Sequence, residues 1–226
     1  MSTGTRPPHF HLIFISFSRG SYRNFVAKDL YSLYSHKKQT AMKLEESLKR
    51  FEEVLFSKNE AFEQLLFPGI NQDEVTSIIT SVGLNLSEEL STLYRWRNGI
   101  NFKHLKTNKL IFGISGVFLP LKDAVSAWLN DSKKGYYTNE LFPIFFDETH
   151  LINIEVIGGP IYIYSPPLDI LDPISIYDSL DKMFITLTQA FEKGYFYYNN
   201  AGIFESKDNE YSTLAKTINP NSIFWQ

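Results

Sequence analysis

The hydrophobic period of this chain changes at Lys109, and that change limits the fold more than any other feature. Upstream, apolar residues recur at helical spacing: in MKLEESLKRFEEVLF, which begins at Met42, Leu44, Leu48, Phe51, Val54 and Leu55 share one face. Downstream, KLIFGISGVFLPL and ELFPIFFDETHLINIEVIGGPIYIYS are dense in Ile, Phe and Val, with turn residues at Asp147-Glu148 and Gly158-Gly159-Pro160. Such runs read as successive strands joined by hairpins, hence an antiparallel sheet. Past Pro166-Pro167 and Pro173 the helical spacing returns in Leu180, Met183, Phe184, Leu187 and Phe191, closed by Gly194. A last helix, Glu210 to Ile218, is halted by Asn219-Pro220. Helices, then strands, then helices is an α+β order and not a βαβ one.

Local punctuation sharpens the helical part. Glu45 with Lys49 and Glu46 with Arg50 stand four residues apart, the spacing of helix ion pairs. Asn71 or Asp73 can cap a helix through Glu74, Val75, Ile78, Ile79 and Val82, which Gly83 ends. Ser87 can cap the next, whose apolar face is Leu90, Leu93 and Tyr94. Those three are expected in the core. Arg95 and Arg97 are expected to face outward, spacing alone leaves Trp96 undecided, and Asn98-Gly99 is read as the helix stop. Leu121 to Leu129 reads as a short helix between strands.

Composition narrows the function classes. Of 226 residues, 43% are hydrophobic and 15% aromatic, ample for a packed core. The absence of cysteine excludes disulfides and thiolate metal sites and is compatible with a reducing cytoplasm. Leu12-Ile13-Phe14-Ile15 is far short of the roughly 20 apolar residues a bilayer span needs. No signal-peptide pattern stands out. The chain is read as soluble and cytoplasmic, with no membrane partner. Its net charge of -3 is uneven: residues 1–41 carry +5, residues 42–139 balance, and residues 140–226 carry -8. An acidic half repels nucleic acid and steers basic partners inward, although a plain solvated surface has the same composition. Residues 1–41 are basic, rich in His, Ser and Tyr, and without amphipathic period. They read as an extension ahead of a domain spanning 42–226, either foreign to the natural product or a targeting or tethering arm.

A search for catalytic sets finds none that holds. Of the histidines His9, His11, His36, His104 and His150, only His150 stands among carboxylates, beside Asp147 and Glu148. An acid–base or metal site is conceivable there, but a polar hairpin tip has the same residues. There is no G-x-S-x-G, G-x-G-x-x-G or Walker loop. Gly113-x-x-Gly116 suggests only a bend or bulge. Arg95-Trp96-Arg97 with Lys103, Lys106 and Lys109 comes nearest to a nucleic-acid surface, and reads better as a solvated helix end and loop. The expectation is a protein that is not an enzyme and has no catalytic residues, cofactor or metal.

Five features, in one order, carry a family likeness. They are Gly83-Leu84-x-Leu86-x-Glu88-Glu89-Leu90-x-x-Leu93-Tyr94-x-x-x-Asn98-Gly99; Leu141-Phe142-Pro143-Ile144 before an Asp turn; the Tyr-ended strand Ile161 to Tyr164; Asp178-Ser179-Leu180; and Asn219-Pro220 followed by Trp225. Together, over Met42 to Trp225, they resemble the SUKH superfamily of cell-wall assembly regulators and bacterial toxin-immunity domains. One departure is Asn85-Leu86-Ser87, where a Leu-Pro is usual; Ser87 supplies a cap instead. The resemblance implies an α+β fold with a curved, mainly antiparallel sheet wrapped by helices. It also implies a protein-binding role, as a neutraliser of a nuclease-type toxin or, alternatively, as an intracellular regulatory scaffold. Under the immunity reading the acidic half docks a basic toxin. Its expected contacts are Asp147, Glu148, Glu155, Asp169 and Asp172, on strand turns and the proline-rich loop, with Tyr162 or Tyr164 as exposed aromatic anchors.

Overall fold

The computed structural model describes residues 43–58, 60–85, 87–101, 112–133, 141–147, 150–155, 158–165, 170–200 and 202–226. All lie within one compact unit, Gln39–Gln226. The basic extension, Glu148, Asp169, Lys103, His104, Lys106 and Lys109 lie outside the described residues. The fold is α+β, with an antiparallel sheet that does not close into a barrel.

Helix α1 covers 43–58 and buries the predicted stripe: Leu44, Leu48, Phe51 and Leu55 are at most 1% exposed. Helix α2, Gln72–Thr80, is capped by Asn71, whose side chain accepts from the Glu74 amide at 2.8 Å. Helix α3, Glu88–Trp96, is capped by Ser87, which accepts from the Leu90 amide at 3.1 Å. Leu90, Leu93 and Tyr94 are core, as their spacing requires.

The helix then ends earlier than Asn98-Gly99 suggests. Arg97–Ile100 is a strand, β2, paired with Leu66–Pro68, β1. Asn98 and Gly99 serve the next element. The Asn98 side chain accepts from the Leu121 amide at 2.9 Å, capping α4, Leu121–Lys133. Gly99 has φ +82°, and a Cβ there would sit 2.2 Å from the Pro120 nitrogen. This pair is a docking point for α4 and not a helix stop.

The main sheet has the order β3–β4–β5–β6–β7, with Val117–Phe118 as β3, Leu141–Asp147 as β4, His150–Glu155 as β5, Ile161–Ser165 as β6 and Ile170–Tyr177 as β7. Every neighbouring pair is antiparallel. Register puts Phe118, Phe145, Ile152, Ile163 and Ile174 side by side across all five strands. Phe118 and Phe145 of that row are fully buried, and Ile163 packs against the core. Of KLIFGISGVFLPL, the described residues from Phe112 onward give a 3-10 turn, Gly113–Ser115, with positive φ at Gly113 and Gly116, and the two-residue β3.

Helix α5, Leu180–Glu192, starts at the cap Ser179 and lays Met183, Phe184, Leu187 and Phe191 into the core. Phe51, Phe112 and Phe184 meet at centroid distances of 5.3 to 6.4 Å, and Phe145 joins Phe112 at 5.0 Å. After α5 comes the hairpin of β8, Phe196–Tyr198, and β9, Phe204–Ser206. Helix α6 is Asp208–Ile218. Asn219, fully buried, closes it: its amide nitrogen donates to Thr186 and to the Ala215 carbonyl, and its oxygen accepts from the Asp178 amide.

Candidate functional site

The sheet and the helices handle charge differently. From Gly135 to Asp181, the stretch that supplies β4 to β7, the chain has eight Asp and Glu and no Lys or Arg. No lysine or arginine built into these four strands can therefore pair with an acid.

Of the predicted residues, register sets Asp147 and Asp172 towards one end of the sheet and Glu155 at the other, while Glu148 and Asp169 lie outside the described residues. Asp147 ends β4 and is paired in register with His150 at the start of β5; Glu155 lies at the far end of β5, opposite Leu141. Five residues of strand separate His150 from Glu155, about 17 Å at 3.3–3.4 Å per residue. Asp172 belongs to β7 and not to a proline-rich loop, because the strand runs from Ile170 straight through Pro173. Proline is tolerated in β7 because this strand is the edge of the sheet. Asp172 and Pro173 are exposed. Asp172 has no cationic partner among the described residues.

The expected aromatic anchors are corrected. Tyr164 is buried at 6% exposure and packs with Leu141 and the half-buried Tyr162. Both tyrosines stand in strands flanked by others, so neighbouring side chains cover them. The exposed apolar residues are elsewhere, and the most exposed large one is Ile223, at 69%, followed in the chain by Phe224 at 45%.

Ile223 and Phe224 lie beside β7. The Phe224 amide donates to the Ser175 carbonyl at 3.2 Å, and the Ser222 hydroxyl donates to the same oxygen at 2.9 Å. The Trp225 indole donates to the Ile176 carbonyl at 2.6 Å. Trp225 packs edge-on against Tyr211 at 5.5 Å, and Phe224 stands edge-on against Trp225 at 4.7 Å. The tail thus covers β7 at Ser175–Ile176 and holds a phenyl ring in a fixed place in solvent. Sequence reasoning missed this pair, although Asn219-Pro220 before an aromatic run signalled an anchored end.

Two further polar clusters belong to the helices. Glu52 on α1 accepts from the Trp96 indole at 2.7 Å and from the Arg97 guanidinium, and Arg97 also lies over the Phe56 ring at 5.7 Å. Trp96 is therefore tied inward, and Arg97, expected outside, is drawn in with it. Arg95 does face solvent, between Glu45 at 3.5 Å and Glu88 at 3.7 Å. Its pairing with Glu45, and that of Arg50 with Glu192 at 2.5 Å, join α1 to its neighbours. Glu89, in the first turn of α3, is 9% exposed and accepts from the Gly159 amide at 3.0 Å. Gly158 has φ +86°, which favours glycine, and a Cβ there would lie 2.5 Å from that carboxylate and push it aside. Burial, and secondarily the nearby Asp181 charge, push the Glu89 carboxyl above its ordinary value, against the opposing pull of the Gly159 hydrogen bond.

Among the described residues no three His, Asp or Glu side chains converge as a metal site, and no helix is long and apolar enough to cross a membrane. The side chains of Asp147, His150 and Glu155 lie outside the described residues. No family model matches the chain, and no curated protein matches it.

Proposed function

We propose that the chain is a non-enzymatic, protein-binding domain of the SUKH kind, an immunity protein that neutralises a cognate basic toxin of the nuclease type. One observation carries the reading: an exposed apolar pair, Ile223 and Phe224, is held on the same edge strand, β7, that carries an exposed carboxylate without a cationic partner among the described residues, Asp172, in a sheet built from a stretch without Lys or Arg. Apolar anchors supply affinity at an interface, while complementary charge raises the association rate and rejects wrong partners. A basic enzyme that handles nucleic acid suits such a surface, because a patch that attracts phosphates also attracts carboxylates. The domain needs no cofactor, and its acidic half disfavours nucleic acid as a direct partner.

The test is capture from native lysate with the full chain as bait, washed at low and at high salt. Recovery of one basic toxin domain, released by salt, supports the reading. Retention unchanged at high salt would remove the electrostatic part of it. Recovery of several regulatory proteins, with no toxin among them, would replace immunity by the scaffold role.

A further inference from the structure

We propose that the partner is received at the edge of β7 by side-chain docking, with an apolar residue of the partner against Ile223 and Phe224 and a cationic one at Asp172. This rests on the binding role proposed above and specifies where and how it happens.

The anchor is preorganised. Phe224 is fixed at its backbone by Ser175 and at its ring by Trp225, which is itself held by Ile176 and Tyr211. An exposed ring that is already ordered loses little freedom on binding, which is what separates an anchor from a merely exposed residue. The charge is complementary as well. Asp172 lies three residues from Ser175 along β7, at most about 10 Å at 3.3–3.4 Å per residue, since the register with β6 shifts between Ile170 and Ile174. Neither β7 nor the tail Asn219–Gln226 contains Lys or Arg. A cation that reaches this edge meets no competitor from either segment.

The mode follows from two details. An open edge strand invites another strand, but Pro173 has no amide hydrogen to offer, and the tail already occupies the Ser175 carbonyl. Strand addition across Pro173–Ser175 is blocked. What remains available is side-chain chemistry: a carboxylate, a proline face, an isoleucine and a phenyl ring. The complement is a surface residue such as leucine held within about 10 Å of an arginine or lysine. Arginine is the better match, since its planar guanidinium can pair with Asp172 while resting on the adjacent Pro173 ring.

The experiment follows backbone amide shifts of the full chain while the blocked peptide acetyl-Arg-Gly-Leu-amide is added to millimolar concentration. Shifts concentrated at Asp172, Ile223 and Phe224 are expected. They should be at least halved in Asp172→Asn and in Phe224→Ala, and absent when glutamate replaces the peptide's arginine. Shifts spread over α1 and α2, or equal for the glutamate peptide, would overturn the proposal. Both substitutions are at exposed side chains, and an unchanged melting temperature verifies that the fold is intact. A second arm repeats the lysate capture with each variant, expecting at least tenfold less of the basic partner. Full capture by both variants would discard this edge while leaving the immunity reading in place. Failure of the unsubstituted chain to capture any basic partner would remove that reading, and the peptide titration would still judge the edge.

Discussion

The helices α1 to α3 and the strands β4 to β7 are comparable in size and opposite in how they use charge. On the helical side the arginines are engaged: Arg95 between Glu45 and Glu88, Arg97 on Glu52, Arg50 on Glu192 and Glu53. On the strand side the acids outnumber the cations eight to none from Gly135 to Asp181. Charges that satisfy one another within a chain fix its helices together and offer little to a partner. Asp172, exposed and without a cationic partner among the described residues, is a charge of the other kind, open to a partner.

Four substitutions can break or sharpen that contrast, beginning with the junction between the two sides. Gly99→Ala forces a Cβ into the Pro120 backbone at a positive φ, and should cost about 3 kcal/mol, read as a lower denaturation midpoint. Next, Glu52→Ala strands both the Trp96 indole and the Arg97 guanidinium, with an expected loss of about 2 kcal/mol by the same measure. If Glu52→Ala cost no more than a substitution of an exposed acid, the helical charges would not be structural and the contrast would fail.

Glu89→Gln tests the acid that the helices bury without a cation. Its folded carboxyl is raised above the ordinary 4.5, mainly by burial, so the folded protein binds the proton more tightly than the unfolded chain. Stability contributed by this group is therefore present below pH 4.5 and is lost as pH rises through the folded value. The glutamine keeps an acceptor for Gly159 without the charge. It should stabilise the protein at neutral pH by on the order of 1 kcal/mol and flatten that part of the pH profile. Destabilisation at neutral pH would mean that the charged hydrogen bond outweighs burial. The smallest effect is expected for Asp172→Asn, within about 0.5 kcal/mol in stability.

The sequence made the helices legible because they state their own boundaries. Asn71, Ser87 and Ser179 cap where their chemistry suggests, and Leu180 to Phe191 face inward at helical spacing. The α+β order and the hairpins of β4, β5 and β6 follow from alternation and turn residues. Elements of two to four residues escaped, β1, β2, β8 and β9 among them, because so few positions establish no period. The prolines around Asp172 suggest a loop, a signal that lapses at a sheet edge, where β7 accommodates Pro173. Trp96 and Arg97 depended on Glu52, more than forty positions away, which no local pattern contains.

Trp225 has a use beyond its role under Phe224. The chain has three tryptophans, at 96, 128 and 225, and only the last touches the proposed docking edge. Replacing Trp96 and Trp128 with phenylalanine would leave a single indole whose emission colour reports on that edge. Arrival of a partner over Phe224 would dry its surroundings and shift the emission to shorter wavelength, so the chain has its own label-free binding sensor.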